Sequence, residues 1–171
     1  MATKNTFTAT IVLLLLLASS ASVALAQSDR GKAMSEQHRS KVAETVKALT
    51  DLAGKDQNIG EDIRVVAQEQ ESSNERATKA MEAVEARGGF KTFLIGTDYK
   101  NIGALRSEVV TTQNSINRLT KAKERATDDS VKADLDTQIK ALEETNTSAL
   151  NFIKTNESKF SLFGWLVRLF R

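Results

Sequence analysis

Eight positions between residues 102 and 126 constrain the fold of this chain more than any others. Ile102, Leu105, Val109, Thr112, Ile116, Leu119, Lys123 and Ala126 follow one another at intervals of three, four, three, four, three, four and three. That is the a/d spacing of a heptad seam, kept up for about three and a half repeats. A strand buries alternate residues and cannot use such a pattern, whereas a helix burying one stripe against other helices can. Thr112 and Lys123 are the polar interruptions. The 171 residues include no proline, so nothing in the chain forces long helices to break. Aromatic residues make up only 5% and charged residues 27%, a mixture suited to elongated bundles rather than a thick core. The expected fold is all-α: an elongated antiparallel helical bundle or coiled coil of about four helices, with a short amphipathic C-terminal helix.

The rest of the chain supplies partners for that seam. Residues 28–53 read as a first helix, with Val42, Val46, Leu49 and Ala53 as its stripe. Gly54 to Gly60 reads as a turn. Residues 61–87 read as a second helix with Ile63, Val66, Ala77, Ala80, Met81 and Val84 on one face, but Gln68 to Arg76 is nearly all polar. Such a weak seam needs support from its neighbours. Gly88-Gly89 is a helix stop. Phe90 to Gly96 is the one apolar connection, after which Thr97 or Asp98 can cap the third helix. Thr127-Asp128-Asp129-Ser130 makes a tight turn, and a fourth helix turns Val131, Leu135, Ile139 (or Gln138), Leu142, Ala149 and Ile153 inward. Two helices of similar length joined by about four residues form an antiparallel hairpin. Helices of roughly 27 residues are roughly 40 Å long. In an up-down arrangement the start of the first, the connection 90–96 and the end of the fourth share one end of the rod. The polar turns at 54–60 and 127–130 share the other.

Both termini carry pointed signals. Residues 1–26 begin polar with Lys4, run apolar from Ile11 to Leu17, and finish in small residues ending Ala24-Leu25-Ala26. That is the layout of a secretory signal peptide cut after Ala26. Its removal takes the formal net charge from +2 to +1, since Lys4 is the one charge within it. Residues 27–157 would then be the bundle and 158–171 an apolar tail. Along Phe160–Arg171 the non-apolar positions Ser161, Gly164, Arg168 and Arg171 are spaced three, four and three, one narrow helical stripe. A dozen helical residues rise about 18 Å, too short for a bilayer core of roughly 30 Å. The tail is therefore expected in a membrane interface or against an apolar patch of its own protein.

At Phe93-Leu94-Ile95-Gly96-Thr97-Asp98-Tyr99-Lys100-Asn101-Ile102-Gly103-Ala104-Leu105-Arg106, and again at Phe160-Ser161-Leu162-Phe163-Gly164-Trp165-Leu166, the chain resembles a group of small exported helical coiled-coil proteins of reduced-genome, candidate-phylum bacteria. The resemblance covers most of the chain after residue 26. It implies location and architecture and carries no functional information.

Chemistry-bearing constellations are sparse. The chain has no cysteine, hence no disulfide and no thiolate. His38, the one histidine, has no second ligand nearby in sequence and reads as a solvated surface residue; no metal and no cofactor are expected. The pairs Glu61-Asp62 and Asp128-Asp129 stand at helix starts, where carboxylates suit the dipole, and Glu143-Glu144 reads as a solvated face. Asp128 to Asp136 lacks the central glycine and final glutamate of a calcium loop. No phosphate loop, nucleophile elbow or zinc motif occurs. Arg118, Lys121, Lys123 and Arg125 sit where a helix C-terminus favours cations, and the near-neutral charge gives nothing for nucleic acid. Asn146-Thr147-Ser148 and Asn156-Glu157-Ser158 match the glycosylation pattern but fall on or beside a helix. Thr97 to Asn101 reads as a helix cap with Tyr99 packed over the tail.

These observations predict a non-enzymatic exported protein of the periplasm, cell envelope or extracellular space. It would dock through a hydrophobic end onto a membrane surface or an envelope protein. The docking residues expected are Phe160, Leu162, Phe163, Trp165, Leu166, Leu169 and Phe170, with Arg168 and Arg171 toward head groups, and Phe90, Phe93 and Leu94 from the connection. The alternatives are a structural module that self-associates into a homo-oligomer with its tail folded back, and a membrane-active effector.

Overall fold

The structure, a computed structural model, describes residues 32–158. The expected signal peptide and the tail lie outside them. Five helices appear among the described residues: α1 over residues 32–52, α2 (Gly60–Ala86), α3 (Gly88–Ile95), α4 (Tyr99–Arg125) and α5 (Asp129–Glu157). Four are long, as the heptad spacing predicts, and no strand occurs among the described residues. Cross-helix ion pairs give the directions. Arg118 meets Glu69, and Arg76 meets Glu108, so α2 and α4 are antiparallel. Lys123–Asp136 and Arg106–Glu157 set α4 antiparallel to α5. Arg39–Glu82 joins the start of α1 to the end of α2 across a short turn, and Lys41–Glu144 with Lys55–Asp134 runs α5 the opposite way along α1, so α1 is antiparallel to both. Going round the bundle, the order is α1, α2, α4, α5. This is the up-down-up-down all-α bundle.

The apolar core comes in two parts along the rod. One, around Leu49, Ile63, Leu119, Leu135 and Leu142, fills the half beside the two polar turns. The other, around Met81, Ile102, Leu105, Phe152 and Ile153, fills the half beside α3. The α4 and α5 seams meet in the expected register, since Leu119 shares a cluster with Leu135 and Leu142, and Leu105 with Ala149.

Between the two lies a buried polar layer where the sequence suggested only a weak seam. Gln70 Nε2 donates to Ser115 Oγ at 3.0 Å, and Thr112 Oγ1 donates to Gln70 Oε1 at 3.4 Å. Ser73 Oγ donates to Glu108 Oε2 at 2.9 Å. Arg76 reaches the same carboxylate with two donors, at 2.8 and 2.9 Å. That fork holds the guanidinium pKa above its ordinary value. Gln70, Ser73, Glu108, Thr112 and Ser115 are all buried. The polar stretch of α2 thus faces the core, and its heptad spacing continues unbroken through Gln70 and Ser73.

Three expectations need correction. Gly88-Gly89 does stop α2, with Gly88 at φ +66°, but the chain enters α3 at once rather than an irregular connection. The first turn spans residues 53–59, and Gly60 is the first residue of α2; a Cβ there would lie 2.3 Å from the Ala53 carbonyl oxygen. His38 is not a solvated residue. It is 9% exposed, and burial lowers its pKa from 6.5 to about 4.

Candidate docking end

The end of the rod carrying α3 is built by a short set of polar contacts. Asp98 caps α4, accepting from the Asn101 backbone N–H at 3.3 Å and the Asn101 side-chain amide at 2.9 Å. Gly96, at φ +100°, closes α3 by donating from its N–H to the Thr92 carbonyl at 2.8 Å. Arg87, at the end of α2, donates to the Gly96 carbonyl at 3.3 Å and lies 3.7 Å from the Asp98 carboxylate. The α3–α4 junction is thereby fixed to the C-cap of α2.

Thr97 then joins this junction to α5. Its hydroxyl is buried and donates to the Asn156 carbonyl at 3.0 Å. Arg106 pairs with Glu157 at 2.6 Å one residue further on. The last turn of α5 therefore stands beside the α3–α4 junction, at the end that helix parity predicts. Phe90, Phe93 and Leu94 all belong to α3, and Leu94 is half-buried. Phe160, Leu162, Phe163, Trp165, Leu166, Arg168, Leu169, Phe170 and Arg171 lie outside the described residues.

Two exposed apolar side chains flank the Thr97 bond: Ile95 and Tyr99, each 69% exposed. Tyr99 is expected to pack over the tail; in the structure it is exposed, and the tail lies outside the described residues. Thr97 to Asn101 otherwise behaves as the expected helix cap. Helical period gives no signal for Ile95, because Thr92, three residues earlier in α3, is buried at 7%.

Elsewhere the candidate residues are accounted for by structure. Of the four cations Arg118, Lys121, Lys123 and Arg125, three pair with Glu69, Asp136 and Asp62 on neighbouring helices, which neutralises most of the basic cluster. Glu144 pairs with Lys41. Asn146 and Asn156 of the two glycosylation patterns are buried, at 7% and 4% exposure. Among the described residues, no three His, Cys, Asp or Glu side chains come together as a metal site. No helix among them is long and apolar enough to cross a membrane.

The opposite end is closed by Asp56. Its carboxylate accepts from the Asn58 N–H at 2.9 Å, and from the Thr127 N–H and hydroxyl at 3.0 and 3.2 Å. The two polar turns are pinned together, and these donors, the Thr127 N–H first, hold the Asp56 pKa below its usual value. Asn58 adds a bond to the Arg125 carbonyl at 2.9 Å. Comparison with protein-family models, curated proteins and solved structures gave no match.

Proposed function

We propose that this chain is an exported, non-enzymatic helical-bundle protein that docks reversibly on a membrane surface through the α3 end and the tail that follows α5. The observation that carries the reading is the Thr97–Asn156 bond. It sets the residue-158 exit of α5 beside the α3–α4 junction, where Ile95, the last residue of α3, and Tyr99, the first of α4, are exposed. A tail of Phe, Leu and Trp leaving that point would add to one apolar surface rather than start a second. Each large apolar side chain buried contributes about 1.5–3 kcal/mol, so insertion of half the tail gives several kcal/mol. That magnitude suits reversible binding and not permanent anchoring. The pattern of residues 1–26 supports export.

Liposome flotation tests the reading. The chain is expected to float with vesicles containing anionic lipid, and a version ending at Ser158 to stay at the bottom. Equal behaviour of the two would defeat it. Flotation accompanied by release of an entrapped dye would point instead to a membrane-active effector. Failure to bind any lipid, together with concentration-dependent association, would point to a self-associating structural module.

A further inference from the structure

The sequence holds one histidine and three methionines. His38 and two of those methionines, Met34 and Met81, line one small pocket of about 50 Å³ between α1, α2 and α5. Met34 and His38 are four residues apart on α1, one turn above the other on the same face. Met81 approaches from α2, at the level fixed by the Arg39–Glu82 ion pair of the adjoining residues. Thr145 and Ser148 of α5 close the remaining side. Both hydroxyls are committed to their own helix, Thr145 to the Ala141 carbonyl at 2.8 Å and Ser148 to the Glu144 carbonyl at 2.9 Å. His38 is more than nine-tenths buried, and its Nδ1 has no hydrogen-bond partner.

We propose that this pocket is a site for one soft monovalent cation, Cu(I) or Ag(I), held by the thioether sulfurs of Met34 and Met81 and the imidazole of His38. Thioether sulfur and imidazole nitrogen are the neutral soft donors that favour Cu(I). No carboxylate lines the pocket, so nothing there offsets the charge of a hard divalent ion. The volume admits a single ion and no larger ligand. Lys41 is the one cation on the lining, and Glu144 holds its ammonium at 3.4 Å on the exposed side. Methionine side chains have three rotatable bonds, and Met34 is only half-buried, so the sulfurs can close on an ion without moving a helix. Burial keeps the imidazole neutral at neutral pH, the form that binds metal. The site lies on the side of the bundle, and the proposal is independent of membrane docking.

The test is anaerobic titration of the full chain with Cu(I) against a chromophoric chelator. Ag(I) is titrated in parallel, with the imidazole signals followed by NMR. One equivalent is expected to bind, with the signals of the sole histidine shifting to saturation. The double variant Met34→Leu/Met81→Leu conserves volume and should keep its helicity and melting temperature. It is expected to lose affinity by about tenfold or more. Met1 is present in every version, so the difference reads this pocket alone. The proposal is overturned if the wild type takes up no stoichiometric Cu(I), if the imidazole signals stay fixed at Ag(I) saturation, or if the double variant binds as tightly. Tighter binding of Zn(II) than of Cu(I) would overturn it as well.

Discussion

At His38 the sequence neighbourhood points to solvent while the helix period points inward. Ser35, His38, Val42, Thr45, Leu49 and Leu52 are all buried and spaced three, four, three, four and three. The period wins because α2 and α5 pack against that face of α1, and the imidazole goes inside uncharged. This has a sign. The folded pKa of about 4 lies below the ordinary 6.5, so between them the unfolded chain binds a proton that the folded chain does not. Stability is unaffected above the ordinary value and falls as pH drops from about 6.5 toward about 4, by up to roughly 3 kcal/mol. Asp56 adds a lower arm. Its depressed carboxylate pKa means its contribution is present above 3.8 and is lost as pH falls through the folded value. Urea unfolding measured against pH should show both arms. His38→Gln should flatten the upper one and Asp56→Asn the lower; an upper arm that survives His38→Gln would assign it to other groups. Two glycines give opposite expectations. Gly60→Ala forces a Cβ to 2.3 Å from the Ala53 carbonyl and should destabilise by about 1–3 kcal/mol. Gly103 sits exposed in the interior of α4 with open space at its Cβ, so Gly103→Ala should stabilise by about 0.5–1 kcal/mol. Shifts of the two urea midpoints in the same direction would contradict this.

Helix α4 is the element whose packing can be read most directly from the chain. Of its eight seam positions, six are buried, and Val109 and Lys123 are half-buried at the edge. Leu119 is fully buried in the cluster that joins α1, α2, α4 and α5. Leu119→Ala should therefore cost about 2–5 kcal/mol, while Val110→Ala, at a site 60% exposed, should change stability by less than about 0.5 kcal/mol. Thermal midpoints of the two variants check the contrast, and a silent Leu119→Ala would mean the seam does not pack. Helices α1 and α2 were less legible. Both carry the same heptad spacing, but polar residues occupy it: Ser35, His38 and Thr45 on α1, Gln70 and Ser73 on α2. Apolar periodicity alone finds Val42, Leu49 and Ala53 in the core, takes half-buried Val46 in place of buried Thr45, misses Ser35, His38 and Leu52, and leaves the middle of α2 blank. On α1, Ser35 and Thr45 donate to carbonyls of their own helix, but on α2 what makes the polar positions buriable is long-range. Gln70 bonds Ser115 and Thr112, and Ser73 and Arg76 share Glu108, all across α2 and α4, and pairs separated by more than thirty residues leave no local trace. Helix α3 was missed for a related reason. A double glycine ends a helix, but it does not prevent another from starting at the next residue.

The whole molecule is a rod with unlike ends. One end is closed by polar groups, with Asp56 bridging the turns and Arg125 paired to Asp62. The other carries α3, with Ile95 and Tyr99 exposed and the exit of α5 alongside. The helix count made this asymmetry readable, because an even number of antiparallel helices returns the last one to the starting end. Sequence does not determine whether the tail covers that end or is presented from it, since both would use the same apolar residues. The amounts of surface favour presentation. Along residues 160–171 every position outside Ser161, Gly164, Arg168 and Arg171 is apolar, more apolar surface than the eight residues of α3 can cover. Trp165 is the only tryptophan, so its emission reports this end alone. In lipid-free, monomeric protein it is expected to emit as a wet indole, and to shift to the blue when vesicles are added. Ile95→Lys should weaken the vesicle-induced shift without altering the lipid-free spectrum, because Ile95 is exposed and supports no core contact. Emission already blue in the lipid-free monomer and indifferent to vesicles would mean that the tail is folded back, and that the rod closes its own apolar end.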